Sequence, residues 1–173
     1  MTETESALTE PLLAATRIAL GWVFFWAFID KTFGLGFYWW NEVQFGTDPA
    51  KSWISGGDPT YGFLAFGTKG KWFESFFSGM AGNGFVTFLY MIGLLGIGIA
   101  MITGAGRKLG GAGGALLMLL MWLAELPLTN NPITDEHFIY MLLLLVFGFT
   151  PHFGRKFSLA DWWEAKAPHP ILT

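Results

Sequence analysis

Apolar residues gather into four long runs, separated by one long mixed segment and two short polar turns. The first run, Pro11–Ile29, is preceded by Thr9, a suitable N-cap, and opens on Pro11, which suits a first helical turn. The second lies within the charge-free stretch Phe76–Gly106. The third begins at Leu109, after the basic turn Arg107-Lys108, and the fourth begins near Thr134. A helix rises about 1.5 Å per residue, so about twenty apolar residues cross a hydrocarbon core of ~30 Å. The pattern predicts an all-α integral membrane protein, a four-transmembrane-helix bundle forming a single domain over residues 1–173. The expected spans are about 11–29, 84–103, 109–126 and 134–150.

The mixed segment, 32–77, is rich in aromatics and interrupted by the turn signals Gly56-Gly57-Asp58-Pro59 and Lys69-Gly70-Lys71. It is too polar and too broken to span, and its aromatics suit a membrane–water boundary. It is expected to form an extracytoplasmic interfacial cap with one or two short helices, Lys71–Phe77 among them. The tail, 151–173, carries Arg155-Lys156 and then an expected amphipathic helix, Leu159–Lys166, with Trp162 and Trp163. Gly93, Gly96 and Gly98 in the second run, and Gly110 and Gly114 in the third, are positioned to let helices approach closely in lipid.

Composition sharpens this picture. Of 173 residues, 53% are hydrophobic and 13% charged, about half the charged fraction of an ordinary soluble domain, ~25%. The net charge of −3 with no basic block argues against nucleic-acid binding. There is no cysteine, which excludes disulfides, thiol catalysis and Cys-ligated clusters or zinc in this chain. The acidic start, Met1–Glu10, lacks the basic region of a secretory signal, so the first run is expected to remain a helix. Arg107, Lys108, Arg155 and Lys156 fall on one side of the expected spans, and the positive-inside rule makes that side cytoplasmic, with both termini inside.

The candidate chemistry lies in the turn between the third and fourth runs, which holds Glu125, Asp135, Glu136 and His137 on either side of the helix-breaking Pro127 and Pro132. Asp30 and Lys31, at the end of the first run, fall at the same level. The functional reading is a quinone-head site. Such a site needs a hydrogen-bond donor near one carbonyl and a proton acceptor connected to water. His137 can serve in either role, and Glu125 can relay protons. The plainer reading is hydration and capping: Asp135 and Glu136 cap the fourth helix, where Thr134 is also a good N-cap, Glu125 meets Lys31, and His137 bonds a loop. Arg17 lies inside the first run, near its cytoplasmic end. It is a candidate to bind a quinone, an anionic lipid or a partner's carboxylate, or else to snorkel to the surface. No metal-ligand set is read here. His137 and His152 lie about 22 Å apart along one helix, so one chain is not expected to bind haem between two histidines.

With these pieces in order, the chain resembles the DoxX family of small four-helix membrane proteins over nearly its whole length. The matching parts are Arg17-Ile-Ala-Leu-Gly21, Asp30-Lys-Thr-Phe-Gly34 and Trp53-Ile-Ser-Gly-Gly-Asp-Pro-Thr60, followed by Asn131-Pro-Ile-Thr-Asp-Glu-His137 and Gly154-Arg-Lys-Phe-Ser-Leu159. The family includes membrane subunits of thiosulfate:quinone oxidoreductase. A DoxX-like protein is also linked to a membrane redox complex containing a sulfurtransferase and a superoxide dismutase. The resemblance implies a subunit of a quinone-linked oxidoreductase system in a prokaryotic plasma (inner) membrane, acting in sulfur-compound oxidation or oxidative-stress redox work. It also implies a partner redox protein or second subunit, and allows a homo-oligomer. It brings no fixed catalytic set. The expected roles are therefore Glu125 and His137 as catalytic groups, with Arg17, Asp30, Lys31, Asn131 and Asp135 binding a quinone. The alternative is a non-catalytic anchor that recruits soluble redox enzymes through the tail from Arg155. A transporter fits less well, because no inverted repeat is evident.

Overall fold

A computed structural model describes residues 3–39, 43–45, 49–129, 131–167 and 169. Parts of the expected cap (40–42 and 46–48) and of the expected tail (168 and 170–173) lie outside the described residues. The long helices are α1 (Glu3–Phe33), α3 (Gly84–Thr103), α4 (Arg107–Glu125) and α5 (Glu136–Phe149), with short helices α2 (Glu74–Ser78) and α6 (Ala160–Lys166). Three of them are long and apolar enough to cross a membrane: α1 over Leu8–Phe33, α3 and α4. This points to a lipid bilayer as the chain's surroundings. Helix α5 is apolar but has 14 residues, about 21 Å at a helical rise.

Helix α1 packs on α3, α3 on α4, and α4 on α5. Phe24 and Tyr140 meet edge to face at 6.5 Å to link α1 with α5. The core holds Leu20, Phe24, Met91, Leu94, Ile97, Met101, Met118, Leu144 and Phe147. Large apolar side chains such as Trp22, Phe85, Ile92, Leu116 and Leu145 point outward, as helices in lipid require.

Glycines fix how closely the helices approach. A Cβ at Gly148 would stand 2.9 Å from the Cα of Gly111 and 3.1 Å from the Arg107 carbonyl oxygen, so α4 and α5 touch backbone to backbone. Gly98 lies equally close to the Phe25 backbone on α1. Gly110 and Gly114 also face neighbouring helices, whereas Gly93 and Gly96 open onto empty space. The close approaches at Gly21, Gly111 and Gly148 were not expected from sequence.

Two expected boundaries need correction. Helix α1 starts at Glu3, so Thr9 is not its cap and Pro11 lies within it. Helix α5 is capped by Asp135, one of the two acids expected to cap it, and not by Thr134: the Asp135 Oδ1 accepts the Phe138 N–H at 3.0 Å.

The segment between α1 and α3 folds over one end of the helices. It starts with a small antiparallel hairpin of β1 (Phe37–Trp39) and β2 (Val43–Phe45), in which Phe37 stands opposite Phe45. Short helical turns follow at Pro49–Lys51, Trp53–Ser55 and Phe63–Gly67. Trp53 packs against the core and lies 6.4 Å from Phe88 of α3. The Trp72 amide donates to the Leu126 carbonyl at 2.7 Å, and Lys71 Nζ to that of Pro127 at 2.9 Å. Those bonds tie the segment to the α4–α5 turn.

Candidate functional site

The α4–α5 turn is shaped by short polar side chains. Asn131 Oδ1 accepts the N–H groups of Ile133 (2.9 Å) and Thr134 (3.1 Å), a turn that presents Asp135 at the start of α5. The Trp122 indole N–H donates to the Ile133 carbonyl at 3.0 Å, folding the turn back over α4. Its ring lies 5.6 Å from that of Phe138.

This folding brings Glu125, at the last turn of α4, next to Asp135 and His137. One nitrogen or oxygen atom from each of the three lies within 4.8 Å of the others. His137 Nδ1 and Asp135 Oδ2 are 2.9 Å apart, and each of the two side chains is 12% exposed. With its other oxygen capping the helix, Asp135 is held at both ends. An ionised carboxylate can only accept, so it selects the imidazole tautomer with the proton on Nδ1. The lone pair of Nε2 is then left for another partner. Among the described residues, neither Nε2 nor the Glu125 carboxylate makes a protein hydrogen bond.

The trio can therefore take up a proton at Nε2 and pass one through a second carboxylate. One imidazole with two carboxylates is also a mixed nitrogen and oxygen donor set of the kind that takes a divalent cation. Reading the sequence assigned no metal here, because the convergence depends on a turn interrupted by Pro127 and Pro132.

The other expected site residues lie elsewhere or do other work. Asp30 is buried, and its Oδ1 accepts the Gly36 N–H at 3.3 Å, turning the chain as α1 ends. Among the described residues no ion pair joins Lys31 to Glu125. Glu136 and Asn131 are exposed, with the Asn131 oxygen committed to its own turn.

Arg17 sits at the opposite end and is 0% exposed. Its Nε donates to the Gly154 carbonyl at 2.9 Å and its Nη1 to those of Met101 and Ile102, the latter at 3.0 Å. Nη2 reaches the carbonyls of Lys156 (3.4 Å) and Phe157 (3.3 Å). Arg17 therefore neither snorkels to solvent nor faces the trio; it binds the segment after α5 to the middle of α1 and the end of α3. Arg107 does similar work, donating to the carbonyls of Phe153 (2.9 Å) and Pro151 (2.6 Å). Beyond them, Arg155 is held by Asp161 and Glu164 of α6. The hydrogen bond from Arg155 is the largest influence on Glu164 and keeps its carboxyl below the ordinary range. Five basic residues, Arg17, Arg107, Lys108, Arg155 and Lys156, thus mark one end of the molecule, and the acidic trio marks the other.

One polar group was not singled out from sequence. Asp58 Oδ1 accepts from the Thr60 amide (2.9 Å), the Thr60 hydroxyl (2.7 Å), the Tyr61 amide (3.2 Å) and the Thr87 hydroxyl (2.7 Å). Thr87 belongs to the first turn of α3, so Asp58 pins the covering segment to that helix. Burial acts to raise the Asp58 pKa. The hydrogen bonds from Thr60, Thr87 and Tyr61 outweigh it and hold the carboxyl below its ordinary value of 3.8. Its Oδ2 is buried without a hydrogen-bond partner. The signal in the sequence was Asp58-Pro-Thr60, since aspartate readily bonds the amide two residues on.

Comparison with known proteins found no matching family model, curated protein or solved structure.

Proposed function

We propose that the chain is a DoxX-like membrane subunit of a quinone-linked oxidoreductase system, with four spans and both termini on the cytoplasmic side of a prokaryotic inner membrane. The carrying observation is the Asp135–His137 pair at 2.9 Å beside Glu125. A quinone head would supply carbonyl and hydroxyl oxygens that exchange two electrons and two protons. In its neutral form, His137 Nε2 accepts a proton from a hydroxyl; when protonated, it donates to a carbonyl. Asp135 keeps Nδ1 protonated and stabilises the charged ring. Glu125 lies close enough to carry the second proton to water. The chain holds no cysteine, and a partner redox protein supplies or removes the electrons. Sulfur-compound oxidation or defence against oxidants would be the setting.

A second reading, a membrane anchor for soluble redox enzymes, draws on the opposite end. There the segment after α5 is fastened in place and presents Phe153, Phe157 and Trp162 outward.

The test is extraction of quinone from the full-length protein purified in mild detergent, beside His137→Ala. Quinone near one per chain in the wild type, lost in a folded variant, supports the redox site. If neither form retains quinone, and added quinone leaves thermal stability unchanged, the anchor reading replaces it.

A further inference from the structure

An apolar groove runs along the seam of α1 and α3 toward the basic end, with a volume of about 730 Å³. The small side chains of Ala15 and Ala19, one helical turn apart, leave the hollow, and Trp22 and Phe25 close its far end. Ile99 and Ile102 of α3 form the facing wall. Thr103 also lines it, but its hydroxyl is bonded to the Ile99 carbonyl at 2.7 Å. Where α3 stops, Phe157 continues the wall. Phe157 holds a left-handed backbone, φ 55°, and Arg17 bonds its carbonyl.

Two features identify the occupant. From Ala15 to Phe25 the groove follows α1 for about 15 Å at a helical rise, half of a ~30 Å hydrocarbon core and so the reach of a chain from a single leaflet. The second feature is charge at the mouth. Lys156 Nζ lies 5.6 Å from the centre of the Phe157 ring. Neither Lys156 nor Arg17 has a carboxylate at ion-pair distance among the described residues. Arg17 stands behind the groove with its donors taken by carbonyls and its charge unmatched by an anion. A phosphate at the mouth would supply the missing negative charge.

We propose that this groove is a binding site for an anionic phospholipid, with one acyl chain lying along Ala15, Ala19 and Ile102 and the phosphate at Lys156. This inference does not depend on the quinone reading. A zwitterionic lipid offers the same chain but no net charge, so the site discriminates by headgroup.

The test uses the full chain in native mass spectrometry, with dioleoyl phosphatidylglycerol and dioleoyl phosphatidylcholine as probes at equal concentration. The expected result is at least fivefold preferential retention of phosphatidylglycerol. Lys156→Gln should abolish that preference while leaving phosphatidylcholine retention unchanged. Ala19→Phe, which fills the groove, should reduce retention of both, and Ala15→Leu serves if that variant does not fold. Equal retention by the wild type, a preference that survives Lys156→Gln, or no effect of filling the groove would each overturn the proposal. So would a dimer abolished by Ala19→Phe, which would make a second copy the occupant. Displacement of phosphatidylglycerol by long-chain quinone in the wild type but not in Ala19→Phe would overturn it in favour of a quinone tail.

Discussion

At the basic end, the Arg17 guanidinium is surrounded by carbonyls from two separate stretches of chain, and Arg107 repeats the arrangement with Pro151 and Phe153. At the acidic end, His137 has one ring nitrogen fixed by Asp135 and the other without a protein partner, beside a Glu125 carboxylate that also has none among the described residues. Both ends place ionisable groups where an apolar helix run stops. The first spends the donors of its two buried guanidiniums on carbonyls of its own chain, which serves stability. The second leaves capacity over, and that is a requirement of any site that must bind and release something else. Exposure alone would not separate them, since the acidic pair is itself only 12% exposed.

The comparison fails first if Arg17 matters little. Arg17→Ala removes charged hydrogen bonds and leaves buried carbonyls unpaired, a loss of about 3 kcal/mol or more. That corresponds to a fall of roughly 6–12 °C in Tm for a chain of this size, read by thermal unfolding in detergent. Arg17→Lys should recover less than half, because an ammonium cannot match the planar fork. Next is Gly148→Ala. Its new methyl would meet the backbone of α4, and the helices must separate at a cost of about 1–3 kcal/mol. Gly96→Ala, facing open space, should stay within about 0.5 kcal/mol. At the acidic end the pattern reverses: His137→Gln should leave Tm nearly unchanged but weaken quinone binding at least tenfold, about 1.4 kcal/mol. If it unfolds the protein instead, the two ends are alike and the contrast is void.

The smallest effect concerns pH. Because the folded Asp58 pKa lies below its ordinary value, the carboxylate contributes stability above pH about 4. That contribution is lost as pH falls toward the folded value. Wild-type Tm should therefore fall on acidification in that range, and Asp58→Asn should flatten the profile; an unchanged slope would remove Asp58 from the attachment of the covering segment.

The helices were legible where apolar runs end in charge or proline: Arg107-Lys108 at the start of α4, Asp135 just before α5, and Thr150-Pro151 after it. The start of α1 was not, because Thr9 and Pro11 look like an initiation signal in a helix that runs through both. Glycine spacing identified Gly98, Gly110 and Gly114 but also pointed to Gly93 and Gly96, which meet nothing. Periodicity alone does not say which face of a helix meets a partner. Grouping Glu125 with His137 followed from depth along the helices, whereas pairing Glu125 with Lys31 did not hold: equal depth does not imply adjacency around the bundle. The role of Arg17 was the least legible. Its partners lie up to 140 residues away and are backbone carbonyls, which carry no signature in side-chain identity.

The bond from Arg17 to Gly154 spans 137 positions, and this has a consequence for biogenesis. Translation at about 5–20 residues per second separates the two groups by roughly 7–27 s. The Met101 and Ile102 carbonyls are made part-way through that interval, and those of Gly154, Lys156 and Phe157 only at or after its end. The guanidinium therefore gains its full set of acceptors only when the segment after α5 emerges. A ribosome stalled shortly before Gly154 would hold a chain that contains every apolar run yet leaves the Arg17 guanidinium only partly bonded, to Met101 and Ile102.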